Sequence, residues 1–254
     1  MATRVAARRF AGLRRTVALT RIRLEKLTRV ALRPALWGPL AGGVLASMEH
    51  AHIPFGADVA TVLDVGTSRG QFAVFARSRW PHARIIGFEP LPEPAAAARR
   101  VLGGDAAVHQ VALGRQAGRA TINVSGHDDS SSLLDIGRQA EEFAGTAAVG
   151  TLEVDVRRLA DFIEPGLPGP VLLKIDAQGY ELEVLAGAGD GLRQVDEIYC
   201  ECSFLELYRG QPMAGEVISF LHGAGFALAG VFGMATSLSG EQLQADLLFR
   251  RASR

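Results

Sequence analysis

Apolar positions along the chain gather in short unbroken runs, separated by stretches that keep one apolar helical side. The first run is Thr61-Val62-Leu63-Asp64-Val65. A short, β-branched run of this kind predicts a strand buried on both faces. Gly66 and Gly70 bracket the next turn, and Gln71–Arg79 carries Phe72, Phe75 and Ala76 at helical spacing. Trp80-Pro81 stops that helix, because the residue before a proline is pushed out of the α region. Arg84–Phe88 reads as a second strand with Glu89 at its end. An alanine-rich helix over 93–102 precedes strands over 107–111, 120–124 and 151–156, with a short helix over 137–144. Val171–Asp176 is the second key strand, and Gly179 turns the chain into a helix over 180–188. A strand over 195–200 ends at Glu201, a helix follows over 215–222, and strands over 226–231 and 243–249 close the chain as an antiparallel pair. This alternation predicts an α/β fold built on a doubly wound sheet.

The first third departs from that pattern. Residues 1–33 hold ten Arg or Lys against one acid, Glu25, a net charge of +9 inside a neutral chain. The remaining residues therefore carry −9. The basic stretch reads as a helical extension, packing on the domain or a second subunit, or lying on anionic lipid as an interfacial helix. Arg8-Arg9-Phe10 is not followed by the apolar core of an export signal, since arginines interrupt it. Residues 34–54 form a Pro/Gly-punctuated connector with a short helix over 43–50, in which His50 and His52 could line a pocket. The expected division is an extension and connector over 1–54 and a domain over 55–254. Cys200 and Cys202 are the two cysteines, too close along one strand to bridge each other, so the chain suits a reducing cytoplasm. No run is long enough to span a bilayer, which leaves a cytoplasmic protein with an option of peripheral contact through 1–33. A homodimer is a further option.

The candidate chemistry sits at the strand ends. A glycine turn lets a ligand approach the backbone, and the helix start offers free N–H groups. An acid at the tip of the next strand, here Glu89, can accept hydrogen bonds from both ribose hydroxyls. Gly66-Thr-Ser-Arg-Gly70 has serine where a dinucleotide fingerprint has its middle glycine. Asp64 before the turn would repel a pyrophosphate but could pair with an ammonium. Both features favour S-adenosylmethionine (SAM) over NAD. The bland reading is a strand–turn–helix with no ligand.

At the second key strand, Lys174 and Asp176 point to the same side and can pair at its carboxyl end, the edge where doubly wound sheets bind ligands. Methyl transfer to an alcohol needs a proton acceptor. Asp176 is the first candidate, with Lys174 setting its charge state, Glu201 the second and His127 the third. The polar loop Ser125–Ser132 offers His127, Asp128, Ser131 and Ser132 to a polar ligand, or is a solvated turn. Candidate cofactor contacts are Asp64, Gly66, Thr67, Ser68, Gly70, Glu89, Pro90 and Ser132; no metal ligands are expected.

Three motifs narrow the class. Asp64-Val-Gly-Thr-Ser-Arg-Gly70, Phe88-Glu89-Pro90 and Leu173-Lys-Ile-Asp-Ala-Gln-Gly-Tyr-Glu-Leu-Glu-Val-Leu185 together resemble the FkbM family of methyltransferases over about residues 58–230. Ser130-Ser131-Ser132-Leu133 fits the same family. The resemblance implies a Rossmann-like, seven-stranded class I methyltransferase sheet, mostly parallel with an antiparallel last strand. It also implies methyl transfer from SAM to a hydroxyl of a sugar, glycolipid or natural product. Ser68 stands where the family usually has Asn, and Gln178 where it often has Glu; the latter argues against a carboxylate pair holding a divalent metal. The alternatives are a catalytically silent scaffold and an NAD-dependent oxidoreductase. A nucleic-acid substrate is disfavoured by the acidic domain and by the lack of an Asn/Asp-Pro-Pro-Tyr type motif.

Overall fold

The computed structural model describes residues 33–252. Among the described residues, ten strands form two sheets. The main sheet has seven strands in the order β3-β2-β1-β7-β8-β10-β9. They are β1 (Thr61–Val65), β2 (Arg84–Phe88), β3 (Ala106–His109), β7 (Val171–Ile175), β8 (Glu197–Ser203), β9 (Phe226–Thr236) and β10 (Gln242–Arg251). All pairs are parallel except those of β10, which runs antiparallel between β8 and β9.

Alternation along each buried strand feeds a core on both sides. Val62, Ile85 and Leu172 face one cluster, with Phe72, Phe75 and Ala98. Leu63, Ile86 and Leu173 face the other, with Val184, Leu185 and Leu221. The first cluster is closed by helices α2 (Gln71–Arg79) and α3 (Pro92–Leu102), the second by α5 (Glu181–Ala188) and α6 (Ala214–Gly223). Two shorter helices are α1 (Trp37–Ala41) and α4 (Gln139–Glu142).

The sheet order confirms the doubly wound expectation and corrects several boundaries. The strand expected over 107–111 is β3 and ends at His109; beyond it a separate short strand, β4 (Ala112–Leu113), joins a second sheet with β5 (Gly118–Ser125) and β6 (Ala148–Arg157). Ala112, Ile122, Val154 and Val156 form a small core of their own with Leu91, so the second sheet leans over the end of β2. The connector also differs from expectation. Its helix is a 3-10 turn over Met48–His52, and Leu36, Val44, Ala46, Met48 and Ile53 are buried with Phe72 and Val62. These apolar side chains of the connector complete one face of the core. The expectations for residues 1–32 lie outside the described residues. Among the described residues, no helix is long and apolar enough to cross a membrane.

Candidate active site

Strands β2 and β3 extend the sheet on one side of β1 and β7 and β8 on the other, and crevices form where strand order reverses in this way. Two adjoining cavities open there, above the carboxyl ends of β1, β2, β7 and β8. The first encloses about 650 Å³ and is walled by Phe88, Val111, Leu113, Ile122 and Leu133, with Glu89 and Pro90 at its edge. The second encloses about 1290 Å³ and is walled by Glu49, Asp129, Lys174, Glu201 and Asp246, with His50 and Tyr199. Gly66, Ser68, Asp129 and Asp176 belong to both, so the cleft is continuous.

The turn after β1 is built for close approach. Gly66 has φ +71°, and a Cβ there would stand 1.9 Å from the Asp176 carbonyl oxygen. Only glycine fits such a contact. Ser68 follows with φ +46°, and its amide donates to Glu89 Oε2 at 2.9 Å. The Leu91 amide donates to Glu89 Oε1, also at 2.9 Å. Each carboxylate oxygen thus accepts one backbone N–H and keeps capacity for another donor. Glu89 is 6 % exposed, and burial pushes its carboxyl up to about 7, against the two amide bonds.

Lys174 is the charge centre of the crevice. Its Nζ donates to the Gly66 carbonyl at 2.9 Å and to that of Val65 at 3.3 Å. It lies 3.4 Å from Asp64 and 3.7 Å from Asp176. Burial works against its charge, but the carboxylates of Asp64 and Asp176 outweigh that and hold it above the ordinary lysine value. The expected Lys174–Asp176 pair is therefore present, and Asp64 is its unforeseen third member. Asp64 and Lys174 face each other in the β1–β7 register.

This geometry corrects several candidates. Asp64 is 0 % exposed and accepts a hydrogen bond from Thr67 Oγ1, so it has no surface for a ligand's ammonium and instead anchors Lys174 and the turn. Gly70 packs on Ala98 and Val101 of α3 and lines neither cavity; it starts α2 rather than touching a ligand. Ser132 is buried, donating to the Gln178 carbonyl at 2.6 Å and accepting from the Leu134 amide, so it braces the loop. Its neighbour Ser131 lines the first cavity. His127 is exposed beside Gly145 and lines neither cavity, which removes it as a proton acceptor. Thr67, Ser68, Glu89, Pro90, Lys174, Asp176 and Glu201 are all brought to the cleft.

Other residues were not foreseen. Asp129 stands at the junction of the cavities; partial burial, then the charges of Asp176 and Asp128, push its carboxyl up. Asp246 reaches in from β10, and burial raises it to about 6, with the Tyr199 hydroxyl working against the rise. Glu181 accepts from the amides of Ala177 and Gly179 at 3.1 and 3.0 Å, clamping the turn after β7, and burial raises it to about 7. Asp129 follows a residue that the polar-loop reading named; Asp246 had no local signal. Arg69 pairs with Asp128 at 2.6 Å and Glu93 at 3.3 Å, tying the loop to the helix below it. Among the described residues, no three His, Cys, Asp or Glu side chains converge to hold a metal ion.

A seven-stranded sheet in this order, with a glycine turn at one strand tip and an acid at the next, defines the class I methyltransferase fold. The chain belongs to the FkbM family: the model for the methyltransferase FkbM domain matches residues 64–228. It is similar to the 2-O-methyltransferase NoeI of Sinorhizobium fredii (strain NBRC 101917 / NGR234), at 32% identity over 170 residues, or 63% of this chain and 70% of NoeI. It is also similar to the 31-O-demethyl-FK506 methyltransferase FkbM of Streptomyces tacrolimicus, at 31% identity over 199 residues, or 66% of this chain and 72% of that one. The protein is a methyltransferase.

Proposed function

We propose that the enzyme uses SAM to methylate a hydroxyl oxygen of a sugar, glycolipid or natural product. The observation that carries the cofactor reading is the pairing of Glu89 with two unsatisfied neighbours. Ser68 Oγ and Gln71 Oε1 are buried without a hydrogen-bond partner, and both residues line the second cavity. Buried polar atoms are almost always paired, so these two suit a polar ligand end such as an amino acid group. Glu89 suits ribose hydroxyls, and the apolar walls of the first cavity suit a nucleobase. SAM would supply a methyl carbon already activated by a cationic sulfur, and the acids around the second cavity suit that charge.

The chain's own work is then alignment and proton acceptance. Asp176 is the proton acceptor in this reading, because it belongs to both cavities. Glu201 is less suited: burial, then the charges of Asp176 and Asp246, push its carboxyl well up, so it favours keeping its proton. The names of NoeI and FkbM both specify oxygen methylation, which supports an oxygen acceptor here. Calorimetry with SAM and S-adenosylhomocysteine, with NAD as control, tests the cofactor. Micromolar binding of the SAM pair alone is expected; binding of NAD alone overturns the reading. Transfer of labelled methyl to glycan or natural-product hydroxyls, stable to mild base, then tests the acceptor.

A further inference from the structure

One side chain joins the two acids on the acceptor side. Gln178 occupies the turn after β7 with φ +51°, a conformation that residues other than glycine seldom adopt. Its Nε2 donates to Asp176 Oδ1 at 2.5 Å and to Glu201 Oε2 at 3.2 Å. Its Oε1 accepts from the Tyr208 hydroxyl at 2.5 Å. The N–H side of the amide faces the two acids and its oxygen faces the phenol, whose hydroxyl also lies 3.1 Å from the Ser130 carbonyl. The backbone holds it from a third direction, since the Gln178 carbonyl accepts from Ser132 Oγ. Glu201 is fixed from its other oxygen by Gln244 Nε2 at 2.6 Å.

We propose that Gln178 is a positioning residue: its carboxamide clamps the Asp176 and Glu201 carboxylates in one arrangement, and Tyr208 sets the direction it faces. This rests on the reading of Asp176 as proton acceptor. Two acids this close repel when both are ionised, and a neutral amide with two N–H groups relieves that without adding charge. A glutamate at this position would add a third acid and remove the donors. The groups facing the clamp are Lys174 from β7, Glu201 from β8, Asp246 from β10, Glu181 from α5, and Asp129 and Tyr208 from the loops. Tyr208 is itself buried, which raises its phenol and keeps it a donor.

The test is carboxyl-carbon NMR titration of the full chain, with Gln178→Glu and Tyr208→Phe beside wild type. In Gln178→Glu the Glu201 midpoint is expected to rise by about one unit or more. In Tyr208→Phe it moves the same way by less, because the amide is freed to turn. Amide spectra that overlay wild type establish that both variants are folded. Midpoints of Asp176 and Glu201 unchanged in both folded variants overturn the clamp. Should Gln178→Glu fail to fold, Tyr208→Phe decides alone. Failure of SAM to bind wild type in calorimetry would instead overturn the cofactor reading, and the titration would still report on the clamp.

Discussion

The two halves of the cleft are walled by opposite chemistry. The half under the small sheet has mostly apolar walls; Glu89, with both oxygens tied to backbone amides, stands there beside Asp128 and the shared Asp129 and Asp176. The half over β7, β8 and β10 is crowded with carboxylates around a single lysine. The first recognises by shape and a few fixed donors and acceptors. The second works by charge, and each of its groups depends on its neighbours. Substitutions in the first half should therefore weaken one ligand, whereas those in the second should disturb chemistry or folding.

The largest effect is expected from Asp176→Asn, which keeps the shape and removes the proposed proton acceptor. Turnover should fall by about a hundred- to ten-thousand-fold, with SAM affinity within a few-fold by calorimetry. Loss of SAM binding instead would make Asp176 a cofactor residue and blur the division. Lys174→Met should cost about 3–5 kcal/mol of stability in denaturant melts, because it leaves the fully buried Asp64 unpaired. A stable Lys174→Met would show that the lysine is not the electrostatic centre.

Glu89→Gln acts in the quiet half. SAM affinity should fall by about 5- to 100-fold, the loss of a charged acceptor for ribose hydroxyls, and stability by about 1–3 kcal/mol, because the new NH2 faces a backbone N–H that has lost its acceptor. The smallest effect should come from His127→Ala, whose turnover is expected within about twofold of wild type, since its side chain lines neither cavity.

Acidity gives a check on both halves together. Glu89 and Glu181 are raised to about 7 and Asp246 to about 6. Between the ordinary carboxylate range and those values, the folded protein holds protons that the unfolded chain has released. Stability therefore falls as pH rises through that window and levels off above it. The midpoint of thermal unfolding, without ligand, should drop from pH 5 to pH 7.5. A rise over that range would contradict the burial assigned to these acids.

The unit from β1 to Glu89 was legible residue by residue, because a buried strand, a glycine turn and a proline stop are local signals. Its two strands and helix begin and end where the pattern put them. The small sheet was not legible as a sheet. Its strands β4, β5 and β6 pair only through their placement above β2, and a two-residue strand carries no periodicity. The cleft shows the same divide. Glu89, Asp176 and Glu201 stand at strand tips and announce themselves. Asp64 does not, because a strand's alternation cannot say which cation will face it until strand order is known. Asp246 comes from the antiparallel β10, whose insertion between β8 and β9 nothing local specifies.

Lys174 has a consequence for how the chain is made. It bonds the carbonyls of Val65 and Gly66 across separations of 109 and 108 residues. A nascent chain that has emerged past β1 but not β7 holds Asp64 without its cation. The early half can gather its apolar helices, but closing a loop of that length must precede any organised crevice. Gln244 delays completion further, since it reaches Glu201 only when the last strand slots into place. The crevice is thus complete only once β10 has been made, and loss of β10 would strike the charged half of the cleft before the apolar half.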